Sequence, residues 1–281
     1  MDTIPTKTLP ALRLRDGAFR ATDDTLVVEE PLEIRIEGRR YTATMRTPGH
    51  DLELARGLLF TEGVIGDIDD IEDIAYSTHC RELSDELVNV VDVVLHDSSS
   101  VPGHLWERSL ISNSSCGLCG KASVEALTAK VSPIGNHEPL SAAVLLQLPN
   151  LMRAHQELFQ ATGGLHAAGI YAADGKCLAL YEDIGRHNAT DKAIGQGLLE
   201  GWLPWPAGGP PAALLVSGRA SFEIVQKALV ARLPVVCAVS AASTLAVELA
   251  AANNVMLIGF LRDAAMTVYT GRERVFRDCG E

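Results

Sequence analysis

The sequence predicts an α/β protein in two parts, an α+β unit followed by an α/β/α unit. Three observations carry this. Leu32, Ile34 and Ile36 alternate with Glu33, Arg35 and Glu37, the period-two pattern of a half-buried strand, and a helical repeat with Leu54 and Leu58 on one face follows. From about residue 212, short apolar runs alternate with helical segments, the pattern of a largely parallel sheet covered by helices. Between the halves lies a polar, serine-rich stretch with two cysteines three positions apart, Cys116 and Cys119.

Taken in order, residues 1–20 read as a flexible tail and residues 21–111 as the N-terminal α+β domain. In that domain the strand ending at Ile36 turns at Gly38 into a second arm over 41–46. A helix covers 51–62 and stops at Gly63, and residues 88–95 form another strand. Residues 112–139 are the cysteine loop and a linker ending in Ser132-Pro133-Ile134-Gly135-Asn136-His137-Glu138-Pro139. Residues 140–281 form the second domain. Ser141 caps a long helix that Pro149 should bend or split and that Gly163-Gly164 ends. Residues 166–171 and 177–181 form a hairpin about Asp174-Gly175. A polar loop, Glu182-Asp183-Ile184-Gly185-Arg186-His187-Asn188, opens a helix running to about Leu199. Strands follow at 212–216, 234–239, 255–260 and 266–269, with helices starting from Ser221 and from Ser243 or Thr244.

Composition limits the function. The chain of 281 residues is 47% apolar and 21% charged, as in ordinary soluble proteins, and is long enough for two domains. Its net charge of -12 repels nucleic acid and anionic membranes, so an anionic ligand needs a local basic pocket. No run of about 18 apolar residues is present, and the first twenty residues lack the apolar segment of a signal peptide. The six cysteines then read as reduced thiols of a cytoplasmic protein.

In Ser115-Cys116-Gly117-Leu118-Cys119-Gly120 a glycine follows each cysteine, keeping the backbone open to an approaching molecule. Residues 121–127 read as a helix, which places the thiols near a helix N-terminus and Lys121, where thiolate is favoured. The spacing serves a metal site, a redox pair or a sulfur carrier. A structural zinc needs about four ligands, whereas Cys80, Cys177, Cys237 and Cys279 are isolated. A thioredoxin-type pair belongs at the end of a strand in a βαβ unit rather than in a polar loop.

A second candidate site follows from the predicted sheet, because ligands of open α/β sheets bind beyond the C-terminal ends of the strands. Those ends carry Ser217, Gly218 and Arg219, then Ser240, then Phe260, Leu261, Arg262 and Asp263. Helix starts at Ser221 and Ser243 would point free N–H groups into the same crevice, and Arg219 and Arg262 would clamp a phosphate. The chain has neither GxxxxGK[ST] nor GxGxxG.

These motifs together resemble the formate dehydrogenase accessory sulfurtransferases, the FdhD/NarQ family. The resemblance runs from about residue 25 to 275. It rests on residues 55–63 (Ala-Arg-Gly-Leu-Leu-Phe-Thr-Glu-Gly), the Cys-Gly-Leu-Cys-Gly loop, residues 162–169 (Thr-Gly-Gly-Leu-His-Ala-Ala-Gly), the polar loop 182–188, residues 217–223 (Ser-Gly-Arg-Ala-Ser-Phe-Glu) and residues 259–262 (Gly-Phe-Leu-Arg). It implies a second domain like cytidine deaminases. Deaminase chemistry is not implied, since His166 is followed by Ala167-Ala168 and Ser115 precedes Cys116, leaving out the catalytic Glu and the signature Pro.

The resemblance further implies a sulfur carrier that takes sulfur from a cysteine desulfurase as a persulfide. It would deliver that sulfur to the molybdenum cofactor bearing two molybdopterin guanine dinucleotides, for formate dehydrogenase. Cys116 matches the persulfide cysteine and Cys119 the second loop cysteine. Phe260, Leu261, Arg262, Asp263, Ala264 and Ala265 match the cofactor-binding segment, although Asp263-Ala264-Ala265 departs from the glycine, asparagine or arginine common there. His187, with Asp183 and Arg186, is placed in a loop lining the same site. A homodimer is implied by resemblance only, and no permanent metal. The alternatives are a zinc- or redox-active enzyme using the same cysteines, and a non-catalytic chaperone of the cofactor.

Overall fold

The computed structural model describes residues 5–77, 89–97 and 132–276. Cys116, Cys119, most of their loop and the helix expected at 121–127 lie outside the described residues. The strand expected at 88–95 is described from residue 89.

The N-terminal segment is a strand pair, where the sequence suggests a tail through residue 20. Strands β1 (Thr6–Arg15) and β2 (Ala18–Val27) pair antiparallel from Thr6↔Val27 to Arg15↔Ala18. Asp16 and Gly17 turn with φ of 53° and 76°, the left-handed pair that a two-residue hairpin requires.

Strands β3 (Glu30–Ile36) and β4 (Arg39–Arg46) are the expected hairpin, closed at Glu37 and Gly38, and helix α1 (Asp51–Thr61) follows. Asp51 and Glu53 in its first turn complement the helix dipole. Strand β5 (Ile71–Tyr76), unforeseen because its apolar positions are diluted by acids, precedes β6 (Val90–Leu95). The sheet order is β4-β3-β6-β5, with β3 and β6 parallel.

After the two-residue strand β7 (Leu140–Ser141), Ser141 caps helix α2 (Ala142–Ala154), its Oγ accepting from the N–H of Ala143 and Val144 at 3.2 and 3.4 Å. Pro149 does not split α2. The break falls at Gln156, ahead of α3 (Glu157–Thr162), where the Glu182 carboxylate accepts the N–H groups of Leu158 and Phe159 at 2.9 and 2.8 Å. A side chain distant in sequence thus sets the new helix start.

Strands β8 (His166–Tyr171), β9 (Cys177–Asp183), β10 (Ala213–Val216), β11 (Val235–Ala238), β12 (Met256–Arg262) and β13 (Ala265–Thr270) form one sheet in the order β13-β12-β11-β10-β8-β9. It is mixed rather than largely parallel. Only β10–β11 and β11–β12 are parallel, because the β8–β9 hairpin joins β10 antiparallel and β13 turns straight back on β12. Helices α4 (Arg186–Leu199), α5 (Phe222–Val230) and α6 (Thr244–Ala252) cover one face and α2 the other. The strand period of two divides the side chains. Leu214 and Val216 enter the core beneath the three helices, while Ala213 and Leu215 enter the core beneath α2. Strand β14 (Val275–Phe276) returns to pair with β7.

The two sheets share the first of these cores, which runs from Leu32, Ile34 and Leu59 to Ile194, Ile224 and Leu257. Helices α1 and α4 meet backbone to backbone. A Cβ on Gly57 would stand 1.9 Å from the Asp191 carbonyl oxygen, and one on Gly195 1.9 Å from that of Glu53. Buried ion pairs flank the contact. Asp183 is fully buried and accepts from the N–H of Thr47 (3.1 Å), from Gly185 and Asn188, and from Lys192 Nζ at 2.8 Å. Asp191 accepts from Thr61 Oγ1 at 3.0 Å and from Lys227 Nζ at 2.8 Å. Within the first sheet unit, buried Arg46 donates to Asp51 bidentately at 2.9 and 2.8 Å and to Asn89 at 2.6 Å.

Candidate functional site

Sheet pairing continues past the ends of β10, β11 and β12 and draws their loops together. The N–H of Ser240 reaches the Gly218 carbonyl at 3.2 Å, and the N–H of Phe260 reaches that of Ser240 at 2.9 Å. Ala220 bridges to Ala242 in parallel fashion, and Ser217 is tied to Ala167 of β8 through both its N–H and its Oγ at 2.9 Å. The predicted Ser217, Gly218 and Phe260 are therefore on neighbouring rungs. The Ser217 hydroxyl is engaged in this lacing.

Antiparallel pairing of β8 with β10 adds His166, which opens β8 beside the end of β10. A Cβ on Gly218 would lie 3.4 Å from His166 Nδ1 and 3.7 Å from Arg186 Cδ, so imidazole and guanidinium flank this glycine. Burial, then the charge of Arg186, then His187, lowers the His166 pKa, favouring the neutral ring. Arg186 Nε is buried without a hydrogen-bond partner among the described residues. His187 Nε2 stands 3.6 Å from Glu223 Oε2, and its influence is the largest of those holding the Glu223 carboxyl down at about 2. Helix α4 begins at Gly185 and α5 at Ser221, neither making a side-chain cap bond, although in α5 the Glu223 carboxylate accepts its own N–H.

The predicted clamp is only partly shaped. Arg219 and Arg262 are exposed, and their side chains have no hydrogen bond or ion pair with another described residue. Arg262 and Ala265 pair across a turn containing Asp263 and Ala264, all four exposed. The register breaks between Gly259 and Arg262. There Phe260 takes φ 50° and is 40% exposed, while Leu261 is wholly buried against the α2 side of the sheet. The Leu261 side chain therefore cannot reach a ligand from this position, and only its backbone faces the segment. Asp183 is consumed by its four partners and belongs to the junction rather than the crevice. His166 gains weight that sequence reasoning did not give it, beside Arg186, which the sequence already places in the loop lining the site. Their proximity depends on which strand neighbours β10, and no local pattern encodes that.

A separate cleft of about 290 Å³ lies between residues 47–50, Tyr181, Glu182 and the hairpin base at Pro5. His50 packs edge-on to Tyr181 there, with ring centroids 4.8 Å apart. None of residues 217–223, 240–243 or 260–265 lines it. Among the described residues no helix is long and apolar enough to cross a membrane, and no three His, Cys, Asp or Glu side chains converge as a metal site would require.

With this geometry in view, comparisons with known proteins agree with one another. The model of the FdhD/NarQ family matches residues 27–276. A sulfur carrier protein FdhD of Streptomyces avermitilis is 47% identical over 267 residues, covering 94% of this chain and 93% of that protein. The sulfur carrier protein FdhD of Mycobacterium tuberculosis is 45% identical over 257 residues, covering 90% and 92%. That of Anaeromyxobacter dehalogenans is 44% identical over 268 residues, covering 93% and 91%. A crystal structure from Desulfotalea psychrophila, of a protein assigned as a formate dehydrogenase accessory protein, shares the fold, with a TM-score of 0.75 at 20% identity over 97% of this chain and all of that one. The chain belongs to the FdhD/NarQ family.

Proposed function

We propose that the protein is a sulfur carrier for formate dehydrogenase maturation, working through a persulfide on Cys116. The observation that carries this is nearly full-length similarity, at 44–47% identity, to proteins named sulfur carriers. In the proposed cycle the Cys116 thiolate attacks the outer sulfur of a cysteine desulfurase persulfide. The S–S bond there breaks, Cys116 becomes the persulfide and the donor leaves as thiolate. Cys119 stands by as the second loop thiol. The substrate receiving the sulfur is the molybdenum cofactor with two guanine dinucleotides, and the strand-end crevice holds its anionic end. The donor set supports this reading. It has uncapped helix starts at Gly185 and Ser221, the unpartnered Arg186 Nε, His187, and exposed Arg219 and Arg262, which are groups that suit a diphosphate in a chain of net charge -12. The segment 260–265 borders it. We place the protein in the cytoplasm, as a homodimer.

Cys116→Ala should abolish persulfide formation after incubation with a desulfurase and cysteine, and leave formate dehydrogenase inactive. Full maturation by that variant sinks the proposal. Stoichiometric zinc on cysteine in the purified protein would favour a metalloenzyme instead.

A further inference from the structure

The β1–β2 hairpin is the least explained part of the molecule. Its principal packing outside itself is that of β2 on α3. A two-stranded ribbon with ten-residue arms is marginal in water on its own. One face of its outer half is apolar: Leu12, Leu14 and Phe19 are 66%, 58% and 67% exposed, with Ala21 opposite Leu12. The other face of that half is cationic, carrying Arg13, Arg15 and Arg20. Arg13 is paired with Asp24 at 3.0 Å, whereas Arg15 and Arg20 have no partner among the described residues. So a chain of net charge -12 extends an apolar, basic arm.

The complement of that arm is on the same chain. Asp67, Asp69, Asp70, Glu72 and Asp73 are all exposed, and β5 among them is an edge strand of its sheet. Asp67 and Asp70 cap the short 3-10 turn at Ile68–Asp70, but Asp69, Glu72 and Asp73 take part in no ion pair among the described residues. We infer that the hairpin is an assembly arm. It docks on a second copy of this chain, its arginine face on that copy's acidic β5 edge, while Leu12, Leu14 and Phe19 on the ribbon's other face pack against the same residues of the partner's arm across the twofold axis. Reciprocal exchange of two arms gives a closed twofold pair, which a polypeptide presenting both halves of one interface forms naturally. This inference rests on the homodimer proposed above and assigns the surface that makes it.

Sedimentation equilibrium on the full chain tests it. The parent should weigh twice its chain mass. Leu12→Asp with Phe19→Asp should weaken self-association roughly thirty-fold or more. Because aspartates in a strand could disturb the hairpin, a charge exchange gives the second measurement. Arg15→Glu with Arg20→Glu, and separately Asp69→Lys with Glu72→Lys and Asp73→Lys, should each weaken association. An equimolar mixture of the two variants should restore it, since both contacts of the mixed pair are then complementary. A monomeric parent removes the homodimer and this inference together. A dimeric parent whose variants all remain dimeric, or whose mixture fails to associate, leaves the homodimer standing and overturns the arm.

Discussion

At the junction of α1 with α4, Lys192 and Lys227 each meet a buried carboxylate at 2.8 Å, and both carboxylates accept from further donors. At the strand ends, Arg219 and Arg262 reach solvent and, with Arg186 Nε, have no side-chain partner among the described residues. Arg186, Arg219 and Arg262 lie in segments that match the family's motifs, whereas Lys192 and Lys227 lie just beyond them. What separates the two regions is satisfaction. A buried charge must be paired to exist in the fold, so a fully paired one is accounted for by stability alone. Cations without a partner among the described residues, next to helix starts without a side-chain cap, are available to an anionic ligand. Asp183, which the sequence places in the loop lining the site, is thus a junction residue, while Arg186 of the same loop stays beside Gly218 at the strand ends.

The largest effects should come from breaking the junction. Asp191→Ala strands Lys227, and Asp183→Ala strands Lys192. Each should cost about 3–5 kcal/mol in urea unfolding. A loss below about 1 kcal/mol would mean these pairs are not the buried units described. Next comes Gly57→Ala, whose Cβ has no room against the Asp191 carbonyl. Forcing the helices apart should cost roughly 1–3 kcal/mol, and an unchanged midpoint would break the backbone-contact account of α1 on α4.

The crevice should respond in the opposite way. Arg262→Ala should change stability by no more than about 0.5 kcal/mol. It should lower guanosine diphosphate affinity by about ten- to a hundred-fold in calorimetry, the loss of one charge-assisted contact. It should also leave persulfide loading of Cys116 intact. Loss of loading with affinity retained would place the binding site elsewhere. The smallest effect is electrostatic. Glu223 is held from 4.5 down to about 2, so its contribution to stability is present above its unfolded pKa and is lost as pH falls from there toward 2. His187→Ala should let the Glu223 carboxyl titrate closer to 4.5, read by carboxyl NMR, and should flatten that acid limb. A carboxyl still titrating near 2 would show that His187 is not its principal partner.

Much of this was legible in sequence because it is local. Alternation of Leu32, Ile34 and Ile36 gives β3, the Ser141 hydroxyl starts α2, and Asp174-Gly175 turns β8 into β9. Asp16-Gly17 between alternating apolar arms also encodes the β1–β2 hairpin, although its place at the terminus makes it resemble a loose tail. Strand β5 was not legible, since two adjacent acids among its six positions break the alternation.

By itself the sequence determined the order of most elements, the α/β class, the polar strand-end loops and the motifs that place the chain in its family, because turn chemistry, capping and side-chain period act over a few residues. Tertiary structure alone decided that β8 lies antiparallel beside β10, bringing His166 and Arg186 to Gly218. It decided that Glu182 starts α3 from across the fold and that Leu261 turns into the core while its neighbours stay exposed. It also decided which carboxylates are spent on lysines at the junction. Each of these is a choice of neighbour between residues far apart in the chain. Such choices are fixed by filling one shared core and pairing every buried charge, conditions that no short stretch of sequence can express.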